Sequence, residues 1–304
     1  MSIFQGHVGV NLSSAKLEVV GINYAEKRCF VENVDEEYFS EFINFNDKET
    51  KIISILQQAF DNILIRNSFT STNISFSIPS HLFKIFEIPF ESDLHKDDLA
   101  NHLEWEFGVL FPFLKKEDYL LRHIKLNEEI RKQKVISIFA IERRIINILN
   151  KFAARNNFIL KYVDNEHVAA NTAIFFNEPT LENAISFYIG FHHFTILVTN
   201  KNLPVYFRRK TFKSFAEFST EFDEEFKLMK IKLSEDFVIE KLFLFGDKYP
   251  TNIVEIITSK FELDPNYLNP FEQLNAREEI KESKFLINNP ATFSSAAGMA
   301  FRLI

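Results

Sequence analysis

Cysteine occurs once in these 304 residues, at Cys29, so no internal disulfide can staple the fold, and a reducing, cytoplasmic setting is the simplest expectation. Glycine is scarce as well, with seven residues; loops that cradle phosphates through bare backbone need it, so few places in the chain could do that work. Positive charge is outweighed: 35 Lys and Arg face 42 Asp and Glu, leaving a net charge of −7. That argues against a nucleic-acid binder, whose affinity rests on neutralising phosphates. No signal peptide opens the chain and no apolar run comes near the roughly 18 residues that cross a bilayer, so a soluble protein is expected. There is no Walker loop, no CxxC pair and no Ser/His/Asp spacing. Phenylalanine is abundant instead, with 36 residues in a chain that is 46% hydrophobic, enough to bury a substantial core in one large domain or two lobes.

The clearest pattern runs from Asn183 to Arg209. Ile185, Phe187 and Ile189, then Phe194, Ile196 and Val198, alternate at the strand period of two, with Gly190 at the bend and Asn200 to Asn202 at the next turn. This predicts a glycine-bent hairpin followed by a third strand ending in Arg208-Arg209. The same pattern opens the chain between His7 and Ile22. At a constant offset Val8, Val10, Leu12, Leu17, Val19 and Val20 fall on Ile185, Phe187, Ile189, Phe194, Ile196 and Leu197. Two such hairpins starting two halves imply a duplicated α/β architecture.

Between the hairpins the pattern predicts a helix at 48–66, with Ile52, Ile55, Leu56, Ala59 and Ile63 on one face, and strands at 73–78 and 81–89. A helix to Leu110 shows Leu99, Ala100, Leu103, Phe107 and Leu110 on its main apolar face, with Trp105 and Val109 on the other. Two strands (119–126 and 134–141) and a helix (142–157) follow, so helix, strand, strand, helix read as a small α+β insert. Beyond Arg209 come a long Phe-rich helix, a strand at 241–245, a helix at 251–261, a poorly patterned stretch and a closing helix at 293–304.

This order of pieces resembles the actin-like ATPase superfamily, and within it the PilM-type proteins of type IV pilus assembly, relatives of FtsA. Six stretches carry the resemblance: Gly9 to Val20, Ile74 to Phe90, Asp97 to Phe113, Tyr162 to Phe175, FYIGFHHFTILV from Phe187, and Phe293 to Arg302. It implies an actin-like, RNase H-like duplicated two-lobe α/β fold. Residues 1–92 and 158–182 would form the first lobe, 93–157 the inserted α+β subdomain, and 183–304 the second lobe with a minimal insert at about 210–240.

Departures from the family pattern bear on activity. Asn11 stands where the family places a magnesium-organising Asp, Ser13 where it places a glycine, and Tyr188 where the second hairpin has its Asp, while Gly190 stays. Gly246-Asp247 replaces the Gly-Gly turn that cups the nucleotide. Amide and phenol are poor substitutes for hard anionic oxygens around magnesium, and Asp247 would add negative charge near the phosphates. The expectation is therefore a relic site without ATP hydrolysis and with no cofactor. In the alternative, Ser13, Ser14 and Lys16 still bind phosphate, and the protein is an actin-like ATPase that takes ATP and magnesium and switches or polymerises.

The resemblance further implies a non-catalytic cytoplasmic scaffold of a pilus or related secretion machine. Its partners would be the short cytoplasmic tail of a PilN-type inner-membrane protein, held between main lobe and insert, and a motor ATPase. Leu82, Phe86, Leu103 and Trp105 are the groove candidates. The chain ends at Ile304 without the amphipathic helix that anchors FtsA, so membrane attachment is expected through a partner and not by direct insertion. Trp105 is expected to pack on the insert's strands, with a partner contact as the alternative. His192-His193 reads as surface histidines because neighbours on a strand face opposite sides. Arg208-Arg209-Lys210 and Arg143-Arg144 read as solvated basic faces.

Overall fold

In a computed structural model, residues 6–25, 28–90, 96–126, 130–131, 133–190, 192–246, 251–276 and 278–303 are described. The alternating segment at the start of the chain forms β1 (Gly6–Leu12) and β2 (Lys16–Ala25), and β3 (Arg28–Tyr38) extends them into an antiparallel meander. Helix α1 (Glu49–Arg66) buries the face its spacing predicts, and β4 (Asn73–Ile78) returns parallel to β1. Next come β5 (Phe83–Pro89), α2 (Lys96–Leu110), β6 (Tyr119–Lys125) and β7 (Val135–Glu142). Helix α3 (Arg143–Arg155), β8 (Ile159–Asn165) and α4 (Glu166–Asn177) lead to the second meander, β9 (Asn183–Ile189), β10 (His193–Asn200) and β11 (Leu203–Thr211). The remainder is α5 (Phe215–Lys232), β12 (Lys241–Phe245), α6 (Thr251–Phe261), the two-residue strands β13 (Pro265–Asn266) and β14 (Asn275–Ala276), and α7 (Glu278–Lys281), α8 (Lys284–Asn288) and α9 (Ser294–Ala300).

The duplication is written in the strand order. One sheet runs β14-β3-β2-β1-β4-β8 and another β11-β10-β9-β12-β13, each an antiparallel meander flanked by parallel strands. Registers agree as well: Asn11 lies opposite Glu18, and Tyr188, its equivalent, opposite Thr195. The chain divides into two compact units, Met1–Ser80 with Ile145–Thr180 and Tyr267–Ile304, and His81–Arg144 with Leu181–Asn266.

In the first unit α9 lies against β1 and α4, and its small residues are a packing requirement. A Cβ on Gly298 would stand 1.8 Å from the Ala169 carbonyl oxygen, and one on Gly9 would stand 2.0 Å from that of Ala296. Asn165 caps α4 by accepting from the His167 and Val168 amides, as the short polar residue before a helix does. In the second unit the phenylalanines supply the core: Phe187, Phe194, Phe218 and Phe222 are fully buried and in mutual ring contact.

The third sheet, β5-β7-β6, carries α2 on one face through Leu99, Leu103, Ile88, Ile136 and Ile138. Here the structure departs from the predicted element order. Strand β5 pairs with β7 along its whole length and so belongs to this sheet, not with the opening strands. Helix α3 goes the other way: its Phe152 packs edge-on against Phe60 and Phe76 of the first unit. Periodicity identifies a strand or a helix but not its partner, which is why the pattern could not assign either.

Candidate functional site

The turn between β1 and β2 is occupied by its own side chains. Ser13 Oγ accepts hydrogen bonds from the backbone N–H groups of Ala15 at 3.1 Å and Lys16 at 3.0 Å. Those are the donors that such a turn would offer to a phosphate. Asn11 donates to Glu18 at 2.7 Å and accepts from the Ser77 hydroxyl at 2.9 Å. The Lys16 ammonium stands 2.7 Å from Glu18 and 3.0 Å from Glu36, with the Tyr38 ring at its side. Asn11, Lys16 and Glu18 are 4, 7 and 2% exposed, so this charge is matched out of solvent. Ser14 is exposed, and its carbonyl accepts from the Ile43 amide. A carboxylate in the place nearest to Asn11 and Lys16 repels phosphate, and spacing alone gave no sign of it: Glu18 on an alternating strand reads as a solvent-facing residue.

The second hairpin shows a glycine-dependent geometry. Gly190 donates its N–H to the His193 carbonyl, and the His193 ring lies where a side chain at 190 would project. Gly246 has φ +122°, and a Cβ there would come within 2.1 Å of the Ile189 carbonyl oxygen, so glycine is required for the chain to leave β12 past β9. Tyr188 is half-buried on β9. Asp247 lies outside the described residues.

A cleft of about 540 Å³ opens in the insert between α2 and β6. Phe90, Leu99 and Leu103 line one side, and residues 119–123 with Lys125 line the other. Of the four groove candidates only Leu103 contributes to it. Leu82 lies in the 3-10 turn Ser80–Leu82 rather than on a strand. Phe86 is packed against Phe107 and Phe111 inside the insert. Trp105 is 62% exposed and stacks on His102, so its face of α2 does not pack on the strands as expected. At about 100° per residue Trp105 points nearly opposite Leu103 and Phe107, and a single helix on one sheet has only one face to bury.

No family model and no curated protein matches the chain by sequence. Among solved structures it resembles the PilM-PilN type IV pilus biogenesis complex with a TM-score of 0.74 at 13% identity, over 98% of this chain and 98% of that one. A protein of unknown function with an actin-like ATPase fold from Bacteroides thetaiotaomicron gives 0.53 at 12% identity, covering 89% and 93% of the two chains. The fold is actin-like. The ethanolamine utilization protein EutJ from Carboxydothermus hydrogenoformans gives 0.50 at 10% identity, over 97% and 89%.

Within this actin-like fold the basic run at the end of β11 is not solvated as expected. Arg208 pairs with Glu87 at 3.0 Å, where Arg131 and Lys232 also converge at 3.0 Å, and Lys210 pairs with Glu221 at 3.0 Å and Glu225 at 3.5 Å. Burial alone would raise the Glu87 carboxyl; Arg208, Arg131 and Lys232 overcome this and hold it below the usual carboxylate range. These groups join the insert's β5 to β11 and α5 within one unit. They are long-range partners that no local pattern reveals. Among the described residues no group of three or more His, Cys, Asp or Glu is arranged to hold a metal ion.

Proposed function

We propose that this chain is a non-catalytic scaffold at the cytoplasmic face of a type IV pilus or related secretion machine, where it holds the short cytoplasmic tail of an inner-membrane protein. The first hairpin carries the non-catalytic half. The Ala15 and Lys16 amides of its turn are taken by Ser13, and Lys16 is neutralised by Glu18 and Glu36, which leaves few donors and no net positive charge for a phosphate. Support for the partner half is the likeness, over the whole length of both chains, to a structure of the PilM-PilN complex. Association with the inner membrane would then come through the partner.

Two measurements test the two halves separately. With magnesium present, phosphate release from ATP is expected to equal the no-protein rate, and calorimetry with ATP or ADP to show no micromolar binding. Magnesium-dependent turnover that disappears in Ser13→Trp would establish the alternative, an active actin-like ATPase. Cytoplasmic tails of membrane proteins encoded beside this one are expected to bind at micromolar affinity, because ordering a short tail costs much of its contact energy. If none binds the full chain, the partner half is wrong.

A further inference from the structure

The insert's cleft differs from the ion-paired clusters around Glu87 and Glu225 in its unit. Arg131, Arg208, Lys210 and Lys232 each meet a carboxylate within 3.5 Å. Arg122, Lys125 and Arg143, around the cleft, meet none among the described residues. Arg122 and Arg143 donate to the carbonyls of Leu121 and Glu117, and Lys125 lies over the Phe90 ring at 4.8 Å. Glu104, the one carboxylate among the lining residues, is engaged by Lys116 at 3.3 Å. His123, beside them, is held below its ordinary range by burial and then by the Lys125 and Arg122 charges. Three cations thus stand among the lining residues against one carboxylate, in a chain of net charge −7, while Glu142 and Asp118 act on the lining Tyr119 from its hydroxyl side.

The backbone is open at the same place. Strand β6 is an edge of the order β5-β7-β6, bonded on one side to β7. Consecutive residues 119–123 all line the cleft, although successive side chains point to opposite faces. A cleft touched by both faces follows the strand's edge, where unpaired N–H and C=O groups lie. Phe90, Leu99, Leu103 and Tyr119 make its floor apolar.

We propose that this edge docks an extended acidic peptide with apolar anchors, added as a strand beside β6: carboxylates meet Arg122, Lys125 and Arg143, and alternate side chains enter the apolar cleft. Strand addition supplies affinity through the main chain and specificity through alternate side-chain pockets. The cleft volume is that of a small-ligand site, room for a few side chains rather than a helix. The inference rests on the segment His81–Arg144 alone and holds whether or not a membrane tail binds elsewhere on the protein.

The test is fluorescence anisotropy on the full chain. The probe is a labelled peptide of about eight residues that alternates Leu or Val with Asp or Glu. Micromolar binding that weakens with added salt is the expected result. The double variant Arg122→Glu/Lys125→Glu should lose at least about tenfold in affinity while keeping the circular dichroism of the parent, since both side chains are exposed. Methylation of alternate peptide nitrogens should cost a similar factor by removing the ladder bonds. The proposal is overturned if the lysine-for-acid version binds as well, if the methylated peptide binds undiminished, or if the double variant keeps full affinity. It is equally overturned if a short single-stranded DNA displaces the peptide at equal concentration, which would mark a general polyanion surface.

Discussion

Two groups of cations in this protein meet opposite fates. At the β1–β2 turn, Lys16 is buried between Glu18 and Glu36, and the neighbouring amide and hydroxyl groups bond one another. At the insert's cleft, Arg122 and Lys125 of β6 and Arg143 of α3 edge an apolar space and pair with no carboxylate among the described residues. Where a family resemblance directs attention to a ligand, the charges are consumed internally; where it does not, they are left for something else. A site is recognised by what its groups still lack, because a buried ion pair that is already complete has nothing to gain from a ligand.

The sharpest way to break this contrast is to reopen the closed turn. Glu18→Ala removes the nearer carboxylate from a buried lysine and the acceptor of the Asn11 amide. The loss of one partner from a buried pair costs about 3–5 kcal/mol. Urea denaturation is the measurement; a change below about 1 kcal/mol would mean that Glu36 or solvent already satisfies Lys16. Phosphate or ATP added to the variant should recover part of that loss if the turn is a relic of a nucleotide site, through preferential binding to the folded state.

The second effect is on pH dependence, and it too separates the two regions. His7, at the start of β1, is buried between the Ala300 carbonyl and the Ser75 hydroxyl, and burial lowers its pKa to about 4. Its folded value lies below the ordinary 6.5, so the unfolded chain binds the proton more readily. The stability this group contributes is complete above about 6.5, falls as the pH drops towards 4, and changes no further below that. The span corresponds to about 3 kcal/mol, and His167, also fully buried with a pKa lowered to about 3, adds to the loss in the same direction. His7→Gln should flatten the stability profile between pH 6.5 and 4. An unchanged slope would show that His7 stays neutral in neither state or is hydrated in both.

How much of this could be read from the chain depends on the range of the interaction. The opening hairpin and the second meander were legible because alternation is local, though β3 was not: Val8, Val10 and Leu12 announce a half-buried strand without reference to any partner. The apolar face of α1 was legible for the same reason. Strand β14, two residues beside β3, is too short to leave a pattern, and the membership of β5 and α3 depends on surfaces far away in sequence. The candidate site was legible only as departures, Asn11, Ser13 and Tyr188 in unexpected places. What closes the turn, Glu18 from the next strand, Ser77 from β4 and Glu36 from β3, is set by pairing that only the fold creates. Lys125 and Arg122 carried no signal, since charged residues on an edge strand are ordinary protection against aggregation.

The smallest expected effect decides whether the cleft's cations have a structural task. Arg122, Lys125 and Arg143 are exposed and pair with no carboxylate among the described residues, so Arg122→Glu, Lys125→Glu and Arg143→Glu should each alter stability by less than about 0.5 kcal/mol. The histidine beside them provides a local control. Replacing the Lys125 and Arg122 charges by carboxylates removes two of the influences that hold His123 down, so its titration should move up towards the ordinary range, while that of buried His7 stays put. Nuclear magnetic resonance titration of the two rings reads both at once. A His123 that does not move would mean that burial alone sets its pKa and the local potential is not positive. A loss of several kcal/mol on reversal would mean that these cations hold the insert together and, like Lys16, are already spoken for.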